Sequence, residues 1–126
     1  MSVEIAATTY QMPDGSQEVA LTHDGQTQHF TAEGLSEYIE ALAAVRANLL
    51  PPVPTQLPIG RSLPAQLDPN FSTEANAMVN GSSLFFRHPG FGWLGVIIPF
   101  ENLVALHRLL GAQIEEAEIA RARPLS

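Results

Sequence analysis

The chain has no cysteine, which excludes a disulfide, a thiolate nucleophile and any cysteine-held zinc or iron–sulfur centre. It has no lysine either, since all six basic residues are arginines. Schiff-base chemistry and a Ser-x-x-Lys nucleophile are therefore ruled out. Six arginines stand against 13 acidic residues, a net charge of −7. No basic stripe is available to displace counterions from phosphate, so nucleic acid is not an expected partner. Met1–Ile5 has neither a basic nor an apolar signal region. No apolar run approaches the roughly 20 residues of a membrane helix. The expectation is a cytoplasmic protein with no membrane partner. An acidic balance favours encounter with a basic one.

What the chain does have is a pattern that occurs twice. Asp14-Gly15-Ser16 returns as Asn80-Gly81-Ser82, and His23-Asp24-Gly25 returns as His88-Pro89-Gly90. Thr31–Leu35, which opens a helical pattern, has its counterpart in Pro99–Leu103. The recurring order points to two copies of one unit. In the first copy, Val3–Tyr10 alternates as a strand, and Pro13–Ser16 is a turn. Glu18–Thr22 is a second strand, Asp24-Gly25 a tight hairpin turn, and Gln26–Phe30 a third, more polar strand. Thr31 is placed to cap the following helix, with Glu33 near its positive end. Leu35, Tyr38, Ile39, Leu42, Val45 and Leu49 form one apolar face of that helix, which Pro51-Pro52 stops.

The second copy repeats this in more hydrophobic residues. Strands are predicted over Ala75–Asn80, Ser83–Arg87 and Trp93–Ile98, and a closing helix from near Phe100 to about Arg123. The fold class is therefore α+β: two tandem βββα units forming a mostly antiparallel sheet, with two helices packed on one face. The domain is single, residues 1–126, with repeat units 1–49 and 73–123. A proline-rich connector over 50–72 carries Val53, Leu57, Ile59, Leu63, Leu67 and Phe71. A free linker would be more polar, so this one is expected to lie extended over apolar surface. The acidic balance and mixed elements are loosely similar to small dimeric secretion chaperones. Those begin with a helix where this chain begins with strands, and no residue role is carried over.

Catalytic constellations are scarce. His23 and His88 occupy matching positions at hairpin turns, and His titrates near neutrality. No companion ligands or carboxylates stand at metal or acid–base spacing, so tolerance beside a turn is the simpler reading. His29 falls on a polar strand and His107 beside a leucine seam. No serine lies in a nucleophile motif. Glu115, Glu116 and Glu118 read as a solvated helix face. No catalytic residue, metal or cofactor is assigned.

The last two strands stand out. Leu94, Val96 and Ile98 point one way in Trp93–Ile98, while Trp93, Gly95 and Ile97 point the other. Leu84 and Phe86 likewise oppose Phe85 and Arg87. An antiparallel sheet with helices on one face usually leaves the other to water, so Phe85, Arg87, Phe91, Trp93 and Ile97 are expected to form a partner-binding patch. The function expected is a non-catalytic, homodimeric interaction factor of the chaperone, immunity or inhibitor type, binding a protein partner. The alternative is a small enzyme or small-molecule binder with its site between sheet and connector, where His88, Arg87 and His23 would act.

Overall fold

The computed structural model describes residues 3–60 and 62–124. Elements follow in the order β1 (Ala6–Gln11), β2 (Gln17–His23), β3 (Gln26–Thr31), α1 (Ala32–Ala47), β4 (Phe71–Asn76), β5 (Gly81–His88), β6 (Gly92–Ile98) and α2 (Phe100–Ala122). The class is α+β. The strands form two three-stranded antiparallel sheets, in the orders β1-β2-β3 and β4-β5-β6, which decides between one continuous sheet and two smaller ones, a choice the sequence leaves open. Each meander closes through short local turns, whereas β3 and β4 are separated by α1 and the whole connector. The described chain divides into two compact units.

In the first unit, Asp24 and Gly25 both take positive φ, 51° and 74°. That is the backbone of a two-residue turn whose twist matches its strands, so Asp-Gly is the signal that sets the β2–β3 register. His23 then faces Gln26, Leu21 faces Gln28, and Val19 faces Phe30. The β1–β2 turn is held by Asp14, whose carboxylate accepts from the Ser16 amide at 2.9 Å and its hydroxyl at 2.6 Å. Thr31 caps α1 as its position predicts, its Oγ1 accepting from the Gly34 amide at 3.0 Å. At the other end the Asn48 side chain donates to the Ala44 carbonyl and the Arg46 guanidinium to that of Pro51. The helix packs on the Leu21/Phe30 face of the sheet. Phe30 and Tyr38 stack there with centroids 5.1 Å apart.

In the second unit, β4 runs over Phe71–Asn76, so the strand starts earlier than the predicted Ala75–Asn80. Residues Ala77–Asn80 make the turn instead. Asn76 fixes it by accepting from the Met78 amide at 3.1 Å and donating to Ser83 Oγ at 3.1 Å. A Cβ on Gly81 would run into the Ile98 carbonyl, so glycine is required where β5 passes the end of β6. α2 packs against β5.

Very little is enclosed. Ala20, 7% exposed, is the buried apolar residue among those described, and Ser83, at 5%, the buried polar one. Neither helix contains a buried residue. In the connector, Leu57, Leu67 and Ile59 stand in solvent, Ile59 at 100% exposure.

Candidate functional site

The second unit gathers the predicted patch in part. A Cβ on Gly95 would lie 3.0 Å from the Phe85 ring, which places Phe85 and Gly95 on one side of the sheet. Strand alternation puts Trp93 and Ile97 on that side of β6 and Arg87 on that side of β5. Trp93, Ile97 and Phe91 are exposed, whereas Phe85 is only half-exposed because its ring lies across the bare backbone of Gly95. Phe85 is thus the floor of the patch rather than a free-standing contact. Its signal is present in the sequence: a glycine inside a strand marks close approach by a neighbour. Phe91 sits in the Pro89–Phe91 turn, outside the strand.

The opposite side of β6 is equally apolar and equally open. Trp93, Leu94, Val96 and Ile97 are all between 48% and 61% exposed. Phe71 and Phe86, paired across β4 and β5 with centroids 6.4 Å apart, are exposed as well. The sequence predicts one open apolar face, and the structure leaves two. Alternation shows two apolar sides but not which of them the helix fails to reach.

The histidines do not converge. His23 Nδ1 lies 3.2 Å from the Glu4 carbonyl and its Nε2 3.5 Å from Asp24, its own neighbour. His88 Nε2 lies 3.5 Å from the Gln66 side-chain amide. His29 and His107 are exposed. Among the described residues, no three His, Asp or Glu side chains come together as a metal-ligand group. The Asp14 carboxyl is held below the usual range. Its bonds from the Ser16 hydroxyl and amide stabilise the charged form, and they do so as part of a turn.

Two of the concavities among the described residues bear on the expected sites. A groove of about 490 Å³ runs between α1 and the first sheet, floored by Ile5, Leu21, Phe30, Tyr38 and Leu42, with His23, Gln26 and Gln28 along one side. A shallower depression of about 230 Å³ lies where the connector joins the second unit, between Gln66–Asn70 and Arg87. There the Arg87 amide donates to the Asn70 carbonyl at 2.9 Å. The site expected between sheet and connector corresponds to this second depression, whose lining includes Asp68 and Arg87 but neither His23 nor His88.

Comparison with protein-family models, with curated proteins and with solved structures finds no match for this chain. Among the described residues no helix is long and apolar enough to cross a membrane.

Proposed function

We propose that this chain is a non-catalytic interaction factor that binds a partner protein through β6 and the flanking Phe85, Arg87 and Phe91. The observation that carries the reading is the exposure of apolar side chains on both faces of one strand. Exposed apolar patches of this kind mark contact surfaces, and tryptophan, phenylalanine and arginine are enriched in interface cores. Arg87 anchors a carboxylate at the rim of the partner, and the surplus of acidic residues steers a basic partner toward it.

Photo-crosslinking from position 93 in the native host tests this. Adducts with a different polypeptide that disappear on Ile97→Asp support the reading. No adduct, or adducts between copies of this chain alone, overturns it. Trp93→Ala is expected to leave far-ultraviolet circular dichroism largely unchanged. A collapsed fold in that variant makes Trp93 part of the core instead.

The groove beneath α1 favours a second reading, a small-molecule binder. Its volume lies within the range of ligand pockets, and its apolar floor with a few polar groups along one side is the usual composition. Displacement of an environment-sensitive apolar dye by a small ligand, abolished by Leu21→Trp and unaffected by Trp93→Ala, would establish that reading.

A further inference from the structure

We infer that a second copy of this chain docks on the outer face of α2, the two helices lying antiparallel about a twofold axis near Gly111–Ala112. The surface is distinct from β6. Glu101, Ala105, Arg108, Ala112, Glu115 and Ile119 follow one another in alternating steps of four and three residues, so they share one helix face. All six are exposed.

Helix length comes first. α2 has 23 residues, about 34 Å at 1.5 Å per residue, and β5 has eight, about 27 Å. Half-buried positions of α2 end at Gly111, and every residue from Ala112 to Ala122 is exposed. A helical segment of that length has marginal stability without a packed face, and this one carries Ile119 into solvent.

Charge order then selects the occupant and its direction. With two copies antiparallel about Gly111–Ala112, Arg108 meets Glu115 of the second copy, and Glu115 meets the second copy's Arg108. In a parallel pair Arg108 would face Arg108 and Glu115 would face Glu115. The antiparallel arrangement also sets the two helix dipoles head to tail. A face on which Arg108 and Glu115 mirror each other about Ala112 is complementary to itself.

The test is the solution mass of the full chain by light scattering across a concentration series, for wild type, Arg108→Glu, Glu115→Arg and the double charge swap. Arg108 and Glu115 are seven residues apart and make no pair within one helix, so rescue by the swap reports contact between copies. Wild type is expected at twice 13.6 kDa. Each single reversal should raise the dissociation constant about tenfold or more, with the double swap returning to within about threefold. Ala112→Leu is a control for folding. Leucine is a good helix former at an exposed position, so loss of dimer with helicity kept identifies a wedge at the crossing point. A monomer at every concentration, single reversals without effect, or a double swap no better than the singles overturns the inference. So does dissociation by Trp93→Ala with the α2 variants still dimeric, which would assign the dimer contact to β6.

Discussion

Thr31 accepts the Gly34 amide and so satisfies one of the four amides left unbonded at the start of α1. Replacing it with alanine is expected to cost about 1 kcal/mol, read as a lower urea midpoint with an unchanged slope. Gly95 belongs to the same scale. Gly95→Ala sets a methyl against the Phe85 ring at 3.0 Å, tighter than most side-chain contacts, so the ring must give by a few tenths of an ångström. The variant should bind more of a hydrophobic dye and unfold earlier than wild type. Asp14 gives a pH dependence with a definite sign. Its folded carboxyl is held below the ordinary value by the Ser16 bonds. Its contribution is therefore present above the unfolded carboxyl range and lost as pH falls through the lower folded value. Asp14→Asn should be less stable than wild type at neutral pH, and the gap should close in strong acid. Denaturant titrations at several pH values check both statements. These residues are legible in the sequence because a cap, a turn and a strand glycine each act within a few positions of the chain.

At the scale of elements, α1 starts at its Thr31 cap and α2 directly after Pro99, and each ends ahead of a proline, although α1 stops at Ala47 and leaves Leu49 beyond it. β4 departs from its predicted span. Ala75–Asn80 followed by Gly81 has the pattern of a strand running into a hairpin turn. The structure instead uses Asn76 as the pivot, its side chain bonding both Met78 and Ser83. Which of two asparagines bonds the turn depends on where the partner strand lies, and no local pattern contains that. β6 is the element on which function most depends. Ile97→Asp is expected to spare the fold, because Ile97 is exposed and the cost of placing a carboxylate there is small while water reaches it. Binding of any partner should fall at least tenfold, since a buried unpaired charge costs several kcal/mol at an interface. Circular dichroism and the position-93 crosslink read the two effects separately.

For the whole molecule, surface apolarity and net charge act against each other. Self-repulsion from a net charge of −7 keeps apart chains whose leucines, isoleucines and aromatics stand in solvent. That restraint fades toward the sequence isoelectric point of about 4.9. Light scattering during acidification should therefore rise to a maximum near pH 5. Above that, dimerisation through α2 would place like-charged surfaces away from the contact and leave the β6 faces open. If the protein instead stays clear and unassociated through its isoelectric point, its exposed apolar groups do not drive contact.

The sequence by itself determined the class, the order of elements, the Asp24-Gly25 hairpin turn, the Thr31 cap and the alternation that makes β6 apolar on two sides. Each of these follows from short-range sterics, hydrogen bonding or periodicity. It determined the charge order of α2 as well, because charges keep their spacing once the helix forms. Only the tertiary structure decided that the strands make two sheets and that the connector's apolar residues stay exposed. It alone decided that Phe85 lies over Gly95 while Trp93 and Ile97 remain bare. These outcomes depend on which distant surfaces meet, and a surface that meets nothing within its own chain carries the same residues as one that is covered.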